Sequence, residues 1–158
     1  MAKLFYVMGA SGVGKDSLLK YARESISDDA SLVFAHRYIT RSSDAGGENH
    51  IALSQREFSE RDRQGCFSMH WQSHGNFYGI GTEINQWLES GLSVVVNGSR
   101  SYFPEAIKRY EDILPILIYA DKASLLERLI KRGREDVQQV QSRLKLSDSQ
   151  KYELDHPA

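Results

Sequence analysis

The chain has 158 residues, of which 20 are lysine or arginine and 21 are aspartate or glutamate, and it contains a single cysteine, Cys66. This length suffices for one well-buried domain and is too short for two ordinary ones. The balanced charge argues against nucleic-acid binding by bulk electrostatics, and one cysteine excludes an internal disulfide, which fits a reducing compartment. Because no secretory signal precedes the first predicted strand and no apolar run reaches membrane-spanning length, we expect a cytoplasmic protein without a membrane partner.

A glycine-rich segment near the amino terminus carries the clearest chemical pattern: Gly9-Ala10-Ser11-Gly12-Val13-Gly14-Lys15-Asp16-Ser17. An apolar run at 4–8 precedes it and predicts a buried strand, and an apolar face from Leu18 to Ile26 predicts a helix after it. Such a turn between a strand and a helix cradles phosphate, because backbone amides and the helix amino end surround the anion. Lys15 adds a full charge for the outer phosphates of a nucleotide.

The pattern Gly-x4-Gly-Lys runs from Gly9 to Lys15, but Asp16 stands where a Ser or Thr hydroxyl usually holds Mg²⁺. Either the Asp16 carboxylate, a hard oxygen ligand, or Ser17 one step later can take that place. The alternative is an ordinary glycine-rich turn with an exposed lysine. The strand-then-helix context favours the phosphate loop, so a nucleotide and Mg²⁺ are the ligands that this segment predicts.

Downstream, apolar runs that predict strands alternate with stretches that predict helices. Within 66–79, Phe67, Met69 and Trp71 alternate with Ser68, His70 and Gln72, which predicts a strand, and Gly75-Asn76 predicts a hairpin turn after it. Before the hairpin, a second strand is predicted at 32–35, leading to Thr40-Arg41, followed by a loop at 42–49 and a helix from the capping box Ser54-Gln55-Arg56-Glu57 to Gly65. After the hairpin, the sequence predicts a helix capped by Thr82 and closed by Gly91, a buried strand at 92–96 and a helix at 104–110. A fourth buried strand at 113–119 and helices from Asp121 and from about Glu135 complete the predicted elements. This order predicts an α/β fold with a parallel sheet, helices on both faces and a small β-rich insertion.

Arginines near the carboxyl end suggest a lid over the nucleotide. Arg128 and Arg132 lie four residues apart, on one helical face, and Arg143 follows. Arginines that close onto a moving phosphoryl group stabilise its charge and exclude water. The alternative is a solvated basic face with ordinary surface pairs, and the phosphate loop upstream favours the lid.

Other polar residues are candidates for an anionic acceptor. Arg41, at the exit of the second strand, can bind a phosphate with two parallel hydrogen bonds, or it is a loop arginine in solvent. His50 and His74 either donate hydrogen bonds to an anionic substrate or are structural. His70 and His74 are four residues apart, but on a strand and a turn this spacing does not make a metal pair.

These segments, in this order, resemble the guanylate-kinase family over nearly the whole chain. The resemblance rests on the phosphate loop, Thr40-Arg41, the segment from Ser54 to Phe58, His74-Gly75-Asn76-Phe77-Tyr78-Gly79, and Arg128-x3-Arg132-Gly133 with Arg143 beyond. It implies a P-loop kinase fold in one domain over 1–158, with an acceptor-binding region at about 32–82 and a lid at about 122–146. The last strand and helix of that fold are expected to be absent from this chain.

The sequence departs from that family's pattern at four places. Asp16 replaces a serine, and Asn97 replaces an acidic residue. Met69 stands where the family has the glutamate that reads guanine, and a thioether cannot accept the two N–H bonds that the guanine edge offers. Ser43 and Asp44 occupy the neighbourhood of the family's second acceptor-loop arginine.

The Gly-Lys-Asp-Ser loop and Val96-Asn97-Gly98-Ser99-Arg100 resemble the branch of the family that phosphorylates ribose 1,5-bisphosphate in phosphonate degradation. This implies transfer of the γ-phosphoryl group of ATP to that sugar, giving 5-phosphoribosyl 1-diphosphate and ADP, by a monomer or homodimer. A nucleoside monophosphate kinase and a non-catalytic interaction module remain alternatives. The residues implied are Lys15, Arg128, Arg132 and Arg143 for catalysis, residues 9–17 for ATP with Asp16 or Ser17 for Mg²⁺, and Thr40, Arg41, His50, His74, Tyr78 and Arg100 for the sugar phosphates.

Overall fold

The computed structural model describes residues 1–26 and 28–120. The predicted lid with Arg128, Arg132 and Arg143, and the predicted absence of a final strand and helix, lie outside these residues. The described elements are β1 (Leu4–Gly9), α1 (Lys15–Ser25), β2 (Leu32–Phe34), β3 (Arg37–Ile39), a 3₁₀ turn (Ser43–Ala45), β4 (Ile51–Ala52), α2 (Gln55–Arg63), β5 (Phe67–Ser73), β6 (Asn76–Gly81), α3 (Glu83–Glu89), β7 (Ser93–Asn97), α4 (Phe103–Arg109) and β8 (Ile113–Ile118).

A four-stranded parallel sheet in the order β2-β7-β1-β8 forms the core. The central strands β1 and β7 bury Leu4, Tyr6, Val94 and Val96, each at most 1% exposed. Parallel strands place their carboxyl ends at one edge, where β1 runs into the phosphate loop and β7 ends at Asn97. This confirms the predicted α/β fold.

The predicted β-rich insertion is a second, mixed sheet in the order β4-β3-β6-β5. Strands β5 and β6 form the predicted hairpin, but Asn76 begins β6 and pairs with Ser73, so the turn residues are His74 and Gly75. Both have positive φ, 49° and 76°. A two-residue hairpin turn needs this backbone to match the strand twist, which explains the shift of one residue from the prediction.

The chain leaves the core sheet earlier than the sequence predicts. Strand β2 ends at Phe34, and Arg37–Ile39 pairs with β6 of the second sheet. Thr40 and Arg41 therefore follow a strand of the second sheet rather than the second core strand. The prediction for this position was wrong because the pairing partner of a short apolar run is not encoded in the run itself.

Helix boundaries follow local chemistry in one case and not in another. The Ser54 hydroxyl accepts the Glu57 N–H at 3.1 Å, as the capping box predicts, and Gly65 with φ 71° closes the turn after α2. Thr82 precedes α3, but its side chain caps nothing. Its φ of −68° and ψ of −12° are helical, whereas an N-cap residue needs an extended backbone.

Two predicted apolar faces are more exposed than expected. Among the described strands, β8 lies at the edge of the core sheet, and Leu114 and Leu117 are 42% and 49% exposed, so this strand is not buried as predicted. Leu18 on α1 and Ile26, its C-cap residue, are likewise 50% and 41% exposed. In the described part of the chain, no helix is long and apolar enough to cross a membrane.

Tyr6 anchors the turn that follows β7. Its ring is fully buried, and its hydroxyl accepts the Ser99 N–H and donates to the Ser99 carbonyl, both at 2.9 Å. Burial raises the pKa of Tyr6 well above its ordinary value. The ring lies so close to Gly98 that a Cβ there would be 2.1 Å from Tyr6 Cζ, so only glycine fits. Tyr6 therefore holds the segment between Asn97 and Arg100 in place.

We predict that Tyr6→Phe lowers the free energy of unfolding by about 1–2 kcal/mol, because two partly buried backbone groups of Ser99 lose their partner. Urea denaturation measures this change. Tyr21→Phe, at a tyrosine 70% exposed on α1, is the matched control and should stay within about 0.5 kcal/mol of the parent. Equal effects of the two substitutions would contradict the anchoring role.

Candidate active site

The phosphate loop connects β1 to α1 with the backbone that its glycines predict. Gly12 and Gly14 have φ of 83° and 95°, values that favour glycine. A side chain at Gly9 would lie 2.7 Å from the Ile118 carbonyl oxygen, so the loop begins against the neighbouring strand. Gly14 is the N-cap of α1 and brings no side chain to occupy the first N–H groups of the helix. The loop therefore keeps the form of an anion cradle.

Lys15 lies beside this loop in a largely buried position. Its Nζ donates to Asn97 Oδ1 at 2.6 Å and lies 3.6 Å from Asp16 Oδ1. Burial lowers the pKa of Lys15 to about 8, and Arg37 acts in the same direction, while Asp16 and Glu48 oppose both. The ammonium group is thus held at the sheet edge with little water around it.

Asn97 connects the phosphate loop to the second sheet. Its side chain is buried, and its Nδ2 donates to Asp16 Oδ1 at 3.1 Å and to Glu48 Oε2 at 3.3 Å. An amide group has two N–H donors and one carbonyl, so it can serve two carboxylates and Lys15 at once. The partners fix its orientation, because the reverse would aim N–H groups at an ammonium.

Glu48 is held by two arginines. Arg37 donates from Nε to Glu48 Oε2 at 2.7 Å and from Nη2 to Oε1, and Arg41 Nη2 lies 3.6 Å from Oε1. Arg37 and Glu48 are each about 10% exposed in their side chains. Arg37 also lies over the ring of Tyr78, 5.0 Å from its centroid, and Tyr78 stacks on Trp71. A paired, hydrogen-bonded arrangement is what makes buried charges tolerable.

A cavity of about 250 Å³ lies next to this network. Its walls are polar near the phosphate loop and mixed towards the carboxyl end of α1. They include Asp16, Leu19 and Arg23 from α1, Phe34 at the end of β2, and Arg37, Glu48 and Asn97. The cavity therefore adjoins the phosphate loop on the side of the second sheet.

The predicted acceptor residues occupy different surroundings. Thr40 Oγ1 accepts the Phe77 N–H at 2.9 Å, and the ring nitrogens of His50 lie 3.0 and 3.2 Å from the carbonyl oxygens of Arg41 and Glu48. His50 thus ties together both ends of the loop that carries Glu48. Arg41 Nε is shielded from solvent and makes no hydrogen bond to a described residue.

Four further predicted residues have different degrees of burial. Tyr78 is buried beneath Arg37, and His74 is exposed in the β5–β6 turn. Arg100 is half-buried, and this burial lowers the pKa of its guanidinium. Ser17 is exposed in the first turn of α1, next to the half-buried Asp16.

Sequence reasoning missed Arg37 and Glu48 as site residues. A signal for Arg37 exists, because it lies between the apolar Ala35 and Ile39 at strand spacing, and a charged residue on a buried face needs a partner. Glu48 lies in a polar loop with no periodic pattern, so nothing local distinguishes it. Met69 is fully buried in the core cluster, and its side chain is therefore not available to a ligand.

Comparison with known proteins finds several close relatives that carry the same name. The chain is 56% identical over 144 residues to the ribose 1,5-bisphosphate phosphokinase PhnN of Desulfomicrobium baculatum, covering 91% of this chain and 77% of the relative. Proteins of the same name from Psychromonas ingrahamii and Yersinia pestis are 54% identical over 142 residues and 50% over 155, covering 90% and 98% of this chain and 72% and 79% of theirs. The chain belongs to the ribose 1,5-bisphosphate phosphokinase family. No protein-family model matches it.

Comparison with solved structures identifies the fold of this phosphokinase family member. A guanylate kinase from Anaplasma phagocytophilum superposes with a TM-score of 0.68 at 18% identity, covering 94% of this chain and 70% of that one. At this identity the likeness concerns the fold alone. It confirms the P-loop kinase architecture that the resemblance to guanylate kinases implies.

We predict that Lys15→Met lowers turnover by several orders of magnitude while the chain stays folded, because the charge for the nucleotide phosphates is lost. Its effect on stability should depend on pH. With a folded-state pKa of about 8, below the ordinary value of 10.5, the unfolded chain binds more protons between these values. The stability of the parent relative to Lys15→Met should therefore rise with pH between them, by on the order of 1–3 kcal/mol.

Urea denaturation at pH 7.5 and pH 10, without nucleotide, measures this difference. Lys108→Met removes a lysine whose side chain is 66% exposed and is the matched control, with no pH-dependent difference expected. A stability difference for Lys15→Met that does not change with pH would show that the ammonium is not desolvated.

We predict that Asn97→Asp lowers kcat/KM by about ten- to a hundredfold, because a third carboxylate then faces Asp16 and Glu48 and no N–H group joins them. Adding Glu48→Gln restores one donor–acceptor pair and the net charge, and should recover part of the loss. Gln86→Glu places the same charge on an exposed amide of α3, outside the cavity wall, and serves as the control. Steady-state kinetics measure kcat/KM for each variant. An Asn97→Asp enzyme whose kcat/KM equals that of the parent would contradict the bridging role.

Proposed function

We propose that this protein transfers the γ-phosphoryl group of ATP to ribose 1,5-bisphosphate, giving 5-phosphoribosyl 1-diphosphate and ADP. The observation that carries the proposal is the 50–56% identity, over nine-tenths or more of the chain, to proteins that bear the name of this activity. The phosphate loop beside a cavity of about 250 Å³ supports it from the side of the structure.

The phosphate loop is proposed to bind the phosphoryl donor, ATP. The N–H groups of Gly12, Val13 and Gly14 are proposed to hold the β-phosphate, and Lys15 to bridge the β- and γ-phosphates. Lys15 is already directed to the sheet edge by Asn97, so it reaches the transferred group with little reorganisation.

Asp16 and Ser17 fit a role in holding Mg²⁺, which would neutralise charge on the ATP phosphates. Asp16 supplies a carboxylate at the cavity wall, and Ser17 is exposed beside it. Among the described residues no group of three or more histidine, cysteine and acidic side chains forms a metal cluster. Mg²⁺ in kinases does not require one, because one or two protein oxygens, water and the nucleotide phosphates complete its coordination.

The acceptor atom is an oxygen of the 1-phosphate, which is already anionic. The reaction therefore needs no strong general base, and positioning with charge neutralisation is sufficient. We assign charge neutralisation on the acceptor side to Arg41 and Arg100, and over the transferred group to Arg128, Arg132 and Arg143 of the proposed lid. Arg41 suits this role because its Nε lacks a partner among the described residues.

A supporting role, in which side chains stabilise the conformation of the acceptor-binding region, is proposed for Thr40, His50 and Tyr78. Each is engaged by the protein itself: Thr40 by the β6 backbone, His50 by two carbonyl oxygens, and Tyr78 by the Arg37 guanidinium. His74, exposed in the hairpin turn, is proposed to reach the sugar phosphates from outside. The acceptor-binding region at 32–82 would then contribute both ligands and the supports that orient them.

The proposal predicts acceptor choice. With ATP and Mg²⁺, ribose 1,5-bisphosphate should give a new diphosphate signal in phosphorus NMR, and kcat/KM with GMP should be at least about a hundredfold lower. The reason is that Met69 is buried in the core and cannot accept the N–H groups of guanine.

Lys15→Met is the control for turnover at this site. Preference for GMP would make the protein a nucleoside monophosphate kinase. Failure of the folded protein to bind ATP in calorimetry would leave a non-catalytic module. Either result would overturn the proposed function.

A further inference from the structure

Arg23 lies on the wall of the cavity with part of its hydrogen-bonding capacity unused. It belongs to α1 and is half-buried, and its guanidinium carbon is 5.7 Å from the centroid of the Phe34 ring. Arg23 Nε is shielded from solvent and makes no hydrogen bond to any residue that the structure describes. A guanidinium over an aromatic face keeps its N–H groups in its own plane, where they can bind an anion.

Helix geometry places Arg23 at the far end of the cavity from the phosphate loop. Asp16 and Arg23 are seven residues apart, two turns, so both line the same wall about 10 Å apart along the axis. Long side chains of a helix lean towards its amino end, which brings the guanidinium back towards the middle of the cavity. One face of α1 thus presents the nucleotide site and an arginine to one small cavity.

The acceptor in the proposed function has a phosphate at each end of the sugar. The 1-phosphate must lie against the phosphate loop, where Lys15 and the γ-phosphate are. The 5-phosphate then needs a cation at the other end of the cavity. Without one, a dianionic group would be desolvated with no partner, which is strongly unfavourable.

The other cations on the cavity wall are less suited to that task. Arg37 is committed to Glu48 through two N–H groups. Lys20 is mostly exposed and lies 3.9 Å from Glu24. Arg23 combines partial burial with an unpaired donor, and a planar guanidinium matches phosphate oxygens in pairs.

We propose that Arg23 binds the 5-phosphate of the acceptor, the phosphate that is not phosphorylated. This assignment rests on the proposed function. It divides the acceptor among three parts of the cavity: the 1-phosphate near Lys15, the sugar hydroxyls opposite the carboxylate of Glu48, and the 5-phosphate at Arg23. A carboxylate that faces sugar hydroxyls accepts their hydrogen bonds, as acidic residues do for the ribose of nucleotides.

The test combines one substitution with one change in the ligand. Arg23→Gln is assayed with ribose 1,5-bisphosphate and with ribose 1-phosphate, which lacks the 5-phosphate. In the parent enzyme, loss of the 5-phosphate should lower kcat/KM by about a hundredfold. In Arg23→Gln, kcat/KM should fall about ten- to a hundredfold for the bisphosphate and stay within about twofold for ribose 1-phosphate, with the KM for ATP unchanged.

Two further variants complete the experiment. Arg23→Lys keeps the charge but not the paired geometry and should lie between the parent and Arg23→Gln. Arg56→Gln removes an arginine whose side chain is 90% exposed on α2 and should change nothing. Thermal unfolding verifies that each variant is folded, and Arg23→Lys replaces Arg23→Gln in the comparison should the latter fail to fold.

The outcomes separate this proposal from the proposed function. If the parent phosphorylates ribose 1,5-bisphosphate but Arg23→Gln weakens both acceptors equally, or neither, Arg23 does not bind the 5-phosphate. If the parent shows no turnover, the proposed function fails, and calorimetric binding of the same two ligands tests Arg23. Binding of the bisphosphate that is tenfold weaker in Arg23→Gln, with ribose 1-phosphate unaffected, supports the assignment, and equal binding overturns it.

Discussion

The arrangement of this site depends on the hydrogen bonds made by the side-chain amide of Asn97. One carbonyl oxygen accepts from Lys15, and one NH₂ group donates to both Asp16 and Glu48. Each bond alone is ordinary, but together they join the phosphate loop, the end of a core strand and the second sheet at one buried residue. Two carboxylates would repel each other here, and the amide holds them near each other because its two hydrogens serve one oxygen of each.

The position of this amide is itself determined by packing around β7. Tyr6 from the neighbouring strand hydrogen-bonds both backbone groups of Ser99, and Gly98 has no side chain because the Tyr6 ring fills that space. The turn after Asn97 therefore cannot shift without breaking these hydrogen bonds. Rigid support of this kind fixes Lys15 relative to the cavity, and such positioning is the main requirement of the proposed phosphoryl transfer.

The second sheet is tied to the core by polar contacts as well as by apolar ones. Arg109 of α4 donates to the Ser68 carbonyl of β5 at 2.7 Å. On the site side, Arg37 of β3 holds Glu48, which in turn accepts from Asn97. The second sheet is thus attached to the core at two places, and the orientation of Arg37 depends on the stack of Tyr78 and Trp71 beneath it.

Local sequence patterns determined the phosphate loop, the alternation of strands and helices, and the capping box at Ser54, because each signal lies within one short stretch. Only the tertiary structure decided that Lys15 donates a hydrogen bond to Asn97, 82 positions away, and that Asn97 in turn donates to Glu48. Those contacts depend on β7 lying next to β1 and on the early departure of the chain from the core sheet. Strand order and pairing arise from long-range packing, and no periodicity within a single segment records them.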